Sequence, residues 1–266
     1  MIQSISDSEL TQFREAAEDF ARKGGDSTLE YFENRLFGLE FKSDQSPVTR
    51  ADRESEEIIR EEIISRFPDH GIIGEEYGSE GEDKDVVWVI DPIDGTQSFI
   101  HGIPLYSTLI GVLINGSPLV GVIYVPAQKE LVSAAAGMGA QWNGKTCRAR
   151  TCNELGEATF LTTDVVHIHK YEFYQPFKEL IDKTRIHRTW GDAYGHLMVA
   201  TGRADIMFDP ILSIWDAAAL LPVVSEAGGS FSDVYGTASI ETGNALSCAS
   251  GLQNSVLELF KKHNKV

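Results

Sequence analysis

"DVVWVIDPIDGTQSF", residues 85–99, runs from a β-branched apolar stretch into two aspartates three positions apart. "DVVWVID", residues 85–91, reads as a strand, because it is rich in β-branched residues that pack well on a pleated surface. Pro92 restricts Asp91 to an extended conformation. Residues 91–94 then read as a turn relieved by Gly95, with both carboxylates able to face one space. With the Ile93 carbonyl they offer an all-oxygen donor set, which suits Mg2+ or Mn2+ rather than zinc. Thr96 adds a hydroxyl able to orient a water. A helix or turn starting at Gly95-Thr96 would present free amides to a phosphate. An ordinary surface turn is the plainer alternative for the same residues.

The rest of the 266 residues allows one large domain or two small ones. With 42% hydrophobic and 24% charged residues, the composition is that of a soluble globular protein. No apolar run approaches membrane-spanning length. The opening "MIQSISDSELTQF" lacks the regions of a signal peptide, so a cytoplasmic location is expected. Cys147, Cys152 and Cys248 fit no common zinc spacing and read as reduced thiols. A net charge of −17 disfavours nucleic acid and anionic lipid and attracts divalent cations. An anionic substrate would then need bound metal to invert the local field.

Periodicity predicts amphipathic helices over 7–23, 26–38 and 50–67, the last ended by "FPDHG". "GIIGEE" is a short apolar run that stops at Glu75-Glu76. "LYSTLIGVLINGSPLVGVIYVP" predicts a hairpin turned at Asn115-Gly116, and "ELVSAAA" a further strand before a turn in "QWNGK". After about residue 155 strand and helix alternate. "ATFLTTD", "ADIMFD", "GSFSD" and "ALSCAS" read as strands, and 171–183, "DAYGHLMVATG", "WDAAALLPVVSEAGG" and "LQNSVLELFKKH" as helices. The first part reads as an antiparallel sheet with helices and the second as layered helix and sheet.

Acidic residues fall at the breaks in this pattern: Asp52, Glu75-Glu76, Asp91/Asp94 and Asp216. Each has a structural reading beside a functional one. Asp216 reads as a helix N-cap, Asp52 as a charge favouring a helix N-terminus, and Glu75-Glu76 as a solvated loop. Capping and ligation are compatible, since one carboxylate has two oxygens. Loops at strand ends commonly carry sites in α/β architectures.

Taken in order, "SPVTRAD" (46–52), "GEE" (74–76), "WVIDPIDGT" (88–96) and "WDAAALLPVVSEAGG" (215–229) resemble the signatures of the inositol monophosphatase superfamily across essentially the whole chain. The resemblance implies an α/β, layered αβαβα sandwich of the sugar phosphatase type. An N-terminal α+β subdomain would span 1–155 and carry the acidic motifs. A C-terminal α/β subdomain, 156–266, would complete the site and substrate pocket. By position, Glu75, Asp91, the Ile93 carbonyl, Asp94 and Asp216 are the implied metal ligands, for two or three Mg2+ ions, with Mn2+ as a substitute. Asp52 is implied as an outer carboxylate reaching a metal-bound water or a weakly held metal. Thr96 with Glu75 would orient the attacking water, and amides near Gly95 and Thr96 would hold phosphate oxygens. A homodimer acting on a small phosphate monoester is expected, with no nucleic-acid or membrane partner.

"DGTQSF" departs from the "DGTTNF" usual in inositol phosphatases. Gly191-Asp192, Gly195-His196 and Asp209-Pro210 resemble the histidinol-phosphatase branch instead. Asp94, Asp192, Asp209 and Asp216 are therefore expected on the substrate side. A carboxylate there pairs well with the ammonium or imidazole of L-histidinol phosphate. Alternatives remain open: an inositol-1-phosphatase, a broader sugar or nucleotide phosphatase, and a non-catalytic divalent-metal-binding protein. At single positions, Asp209 also reads as a turn residue, Asp192 as a helix cap, and His196 as a packing or supporting group rather than a base.

Overall fold

The computed structural model describes residues 5–35, 38, 40–41 and 47–263. In chain order the elements are α1 (Asp7–Asn34), β1 (Glu40–Phe41), β2 (Pro47–Val48), α2 (Arg50–Arg66), β3 (Gly71–Gly74), β4 (Gly78–Glu80), β5 (Val86–Asp94) and α3 (Thr96–Ile100). Then come β6 (Ser107–Ile114), β7 (Ser117–Val125), β8 (Glu130–Ala135), β9 (Ala140–Trp142), β10 (Lys145–Cys147), β11 (Thr159–Thr162), α4 (Val165–Lys170) and α5 (Tyr174–Lys183). The chain continues through β12 (Ile186–Arg188), α6 (Asp192–Ala200), β13 (Ile206–Asp209), α7 (Ile214–Glu226), β14 (Ser230–Ser232), β15 (Ala245–Cys248) and α8 (Gln253–His263).

An eight-stranded sheet has the order β10-β9-β8-β7-β6-β5-β3-β4, antiparallel except where β3 runs parallel to β5. A five-stranded sheet has the order β12-β11-β13-β15-β14. Alternation along β5 sets the layers: Trp88 and Ile90 pack with Phe20 of α1 and Ile59 of α2, while Val87 and Val89 face Ala218 and Leu220 of α7. With both faces covered, the strand reads as an unbroken apolar run. Helices α6 and α7 fill the space between the sheets, and α5 and α8 cover the far face of the second one. The architecture is the expected αβαβα sandwich.

The hairpin between β6 and β7 turns at Asn115-Gly116, both at positive φ (50° and 77°), as a type I′ turn requires. Three expectations differ from the structure. The two helices expected over 7–23 and 26–38 are one helix up to Asn34; residues 36, 37 and 39 lie outside the described ones, as does Ser46 of the N-terminal signature. Gly24 and Gly25 look like punctuation, but they allow close packing. A Cβ on Gly24 would lie 2.6 Å from Ile59, and one on Gly25 2.7 Å from Tyr124. The segment 91–94 is not a free turn either: β5 continues through Pro92 to Asp94, with an irregular register against β6 between Asp91 and Asp94. The helix expected over 171–183 begins only at Tyr174, and the short α4 precedes it.

Two close approaches fix where α7 begins. Gly111 of β6 and Gly121 of β7 are cross-strand partners. A Cβ on Gly111 would sit 2.7 Å from the Ala218 Cβ, and one on Gly121 2.2 Å from the Ala219 carbonyl oxygen. The helix backbone therefore lies directly on the sheet, with its first turn above the end of β5. The Gly121→Ala variant is expected to lose about 1–3 kcal/mol of stability through overpacking. Urea unfolding reads this out, and an unchanged midpoint would show that the contact has room to relax.

Candidate active site

Parallel pairing of β3 with β5 places Gly74 beside Ile90, and the Glu75 N–H donates to the Ile90 carbonyl at 3.2 Å. Glu75 and Asp91 thus leave the same edge of the sheet as neighbours. At the end of β5, the Ile93 N–H donates to Asp91 Oδ1 at 3.0 Å. Asp94 Oδ2 accepts from the Ala193 N–H at 2.7 Å and from the Ser107 hydroxyl at 3.3 Å. The Thr96 hydroxyl donates to the Ile93 carbonyl at 3.2 Å.

Asp52 and Asp216 are each the third residue of a helix and complete a capping box, which corrects the reading of Asp216 as the N-cap itself. Asp216 Oδ2 accepts from the N–H of the N-cap Ser213 at 2.6 Å. Asp52 Oδ2 accepts from the Thr49 N–H at 2.8 Å. In both, the bonds given to the cap use Oδ2 and leave Oδ1 outside the box. Asp192 does not cap α6: Gly191 occupies the N-cap position and no side chain caps there.

Asp91, Asp94 and Asp216 each offer a carboxylate oxygen, and the three lie within 4.8 Å of one another. Their crowding shows in their acidity. Burial, then the charges of Glu75, Asp216 and Asp94, holds the Asp91 carboxyl well above the usual carboxylate range. Burial, then Asp192 and Asp216, does the same to Asp94. Burial also pushes Asp52, Asp192 and Asp216 up to about 7. Oxygen donors that are anionic, converged and destabilised by one another fit a hard divalent cation, which relieves desolvation and repulsion together.

Two clefts adjoin the cluster. One, of about 200 Å3, is lined by Asp94, Asp164, Asp192, Asp209 and Asp216 together with Thr163 and His167, and none of its described lining residues is Lys or Arg. The other, of about 450 Å3, contains Glu75, Gly95 and Thr96 and shares Thr163, Asp164, His167 and Asp192 with the first. The structure thus brings the expected site residues to one region: Asp91 is buried within the cluster, the Ile93 carbonyl accepts from Thr96, and Asp52, buried at the start of α2, feels the charges of Glu75 and Glu76. Asp209 ends β13 and is buried, and His196 is a fully buried support whose Nε2 lies 3.1 Å from Asp209 Oδ2. Sequence reasoning missed Thr163, Asp164 and His167. Their signal was a strand, "ATFLTTD", that ends in an acid, the same feature that singled out Asp91; Asp164 also caps α4 through the Val166 N–H.

A layered αβαβα sandwich with an oxygen-donor cluster at strand and helix ends is shared with proteins named as phosphatases, and on that kinship the chain is a phosphoric monoester hydrolase. The inositol monophosphatase family model matches residues 9–265, and the chain belongs to that family, whose members generally use divalent metal ions. It is 42% identical to the histidinol-phosphatase of Chlorobaculum parvum, over 89% of this chain and 92% of the relative. It is 36% identical to the chloroplastic bifunctional phosphatase IMPL2 of Arabidopsis thaliana, over 87% of this chain and 67% of that one. The solved inositol monophosphatase of Anabaena superposes with a TM-score of 0.85 at 31% identity, covering 96% of this chain and 97% of the other. Among the described residues, no helix is long and apolar enough to cross a membrane.

The raised carboxyls have a signed consequence. With chelator present, the folded protein binds more protons than the unfolded chain from about pH 4, where free carboxyls titrate, up to about 7. That stability is present at acid pH and is lost as pH rises through this window. The chelated protein is expected to melt roughly 3 °C or more lower at pH 8 than at pH 5. Added Mg2+ should raise the melting temperature more at pH 8 than at pH 5. Thermal unfolding with EDTA and with Mg2+ checks both, and an equal Mg2+ gain at the two pH values would contradict the crowding.

Proposed function

We propose that this chain hydrolyses L-histidinol phosphate to L-histidinol with Mg2+. The observation that carries the reading is the acidic cleft beside the cation-binding cluster. After Asp94 and Asp216 are assigned to metal, Asp164, Asp192 and Asp209 remain, with no Lys or Arg lining beside them. Such a pocket favours an alcohol portion bearing an ammonium or imidazolium. The 42% identity to a histidinol-phosphatase supports the same reading.

Glu75, Asp91, the Ile93 carbonyl, Asp94 and Asp216 would hold two or three Mg2+ or Mn2+ ions, with Asp52 as an outer carboxylate. A divalent cation held there supplies Lewis acidity, polarising phosphoryl oxygens and lowering the pKa of a nearby water. The protein's own groups do the positioning. The Thr96 hydroxyl, donating to Ile93, keeps its lone pairs free to accept a hydrogen from the attacking water, which Glu75 helps orient. Amides at Gly95 and Thr96 donate to phosphate oxygens. Asp192 and Asp209 face the alcohol portion. No side chain needs a pKa near neutrality for this chemistry, so a histidine base is unnecessary. The family resemblance also supports a homodimer.

Inositol monophosphate is the second reading, favoured by the solved neighbour of that name, because sugar hydroxyls also donate to carboxylates. Steady-state kinetics on L-histidinol phosphate and inositol 1-phosphate at matched Mg2+ separate the two. We expect kcat/KM to favour histidinol phosphate by at least about tenfold, roughly 1.4 kcal/mol in transition-state binding. Parity or the reverse order would reject that substrate. Asp94→Asn should fold yet lose about 100-fold or more in kcat/KM at millimolar Mg2+; near-normal turnover would reject the ligand assignment.

A further inference from the structure

Thr163 follows the end of β11, at the wall shared by the two clefts. Its hydroxyl accepts from the Asp192 N–H at 2.8 Å and donates to Asp209 Oδ1. One oxygen atom thus joins two carboxylate residues that the proposed reading places beside the alcohol portion of the ester.

The two partners are held in different ways. Asp192 has φ +53°, the left-handed region that a non-glycine residue seldom adopts, so its conformation persists only while its surroundings impose it. The backbone at Gly191 presses on Thr163: a Cβ there would lie 2.3 Å from the Thr163 Cα. Asp209 is gripped at both oxygens, by Thr163 at Oδ1 and by His196 Nε2 at Oδ2. His196 Nδ1 in turn lies 2.7 Å from the Ser247 hydroxyl on β15. With Ser247 donating to Nδ1, the imidazole keeps its proton on Nε2, facing Asp209. The residue after Asp192, Ala193, donates its N–H to Asp94 Oδ2 at 2.7 Å. That second anchor ties the start of α6 to the acid cluster without passing through the Thr163 hydroxyl.

We propose that Thr163 is a positioning residue for substrate selection, its hydroxyl holding Asp192 and Asp209 where they receive hydrogen-bond donors of the alcohol portion. The inference rests on the proposed function for the placement of the alcohol portion beside Asp192 and Asp209 and for its identity. A valine at this site keeps the shape and removes the hydroxyl. A serine keeps the hydroxyl and removes a methyl group.

The test is steady-state kinetics of wild type, Thr163→Val and Thr163→Ser at saturating Mg2+. Two esters are compared: whichever of histidinol phosphate and inositol 1-phosphate the wild type prefers, and 4-nitrophenyl phosphate, whose alcohol portion bears no donor once it is esterified. The ratio of kcat/KM between the two esters is expected to fall about tenfold in Thr163→Val, chiefly through KM on the preferred ester. Thr163→Ser should restore it to within about threefold. Equal losses on both esters, or no loss on either, would overturn the proposal, because a purely structural role lowers both alike. If Thr163→Val does not fold, Thr163→Ala gives the same comparison without the added methyl. The wild-type rank order judges the substrate reading, and the variants' ratio judges Thr163.

Discussion

Mutual repulsion among crowded carboxylates, one buried and two half-buried, is the constraint around which this molecule is organised. Asp91, Asp94 and Asp216 come from a strand end and a helix start, yet their oxygens lie within 4.8 Å of one another. Left alone, such groups would separate or take up protons. The chain holds them with donors drawn from its own backbone: the Ile93 N–H on Asp91, the Ala193 N–H on Asp94 and the Ser213 N–H on Asp216. Each donor belongs to an element whose place is set by apolar packing elsewhere. The core between the sheets therefore brings like charges together, and a divalent cation bound there would offset what remains.

The same economy recurs in the two capping boxes. Asp52 and Asp216 sit at matching positions of α2 and α7, and each ties its own helix start with one oxygen. That bond orients the carboxylate as rigidly as packing would. Gly111 and Gly121 let α7 lie against the sheet closely enough for its first turn to reach the end of β5. On the other side of the cluster, Asp164, Asp192 and Asp209 form a second group of acids. They are fixed by different partners, Asp164 by the Val166 N–H and Asp209 by Thr163 and His196.

Much of this was legible in the chain itself. The strand through residue 90, the Asn115-Gly116 hairpin and the alternation after residue 155 follow from local pattern, because side-chain period and turn chemistry are local. The acids of the cation cluster stood out because they interrupt that pattern. What was lost depended on distant contacts. Gly24-Gly25 reads as a break until Ile59 and Tyr124 are known to press on it. Asp216 reads as a cap until Ser213 is seen to take that place. Thr163 is marked locally only as the residue before the acid that ends a strand; its meaning comes from Gly191 arriving against its backbone from 28 positions away along the chain.

Where divalent cations bind is the decisive property of this molecule. Anomalous diffraction from crystals grown with Mn2+ locates them directly. The expected result is manganese density enclosed by the side chains of Glu75, Asp91, Asp94 and Asp216, with the Ile93 carbonyl as a further donor. Density found only at surface carboxylates, with that cluster binding none, would contradict it.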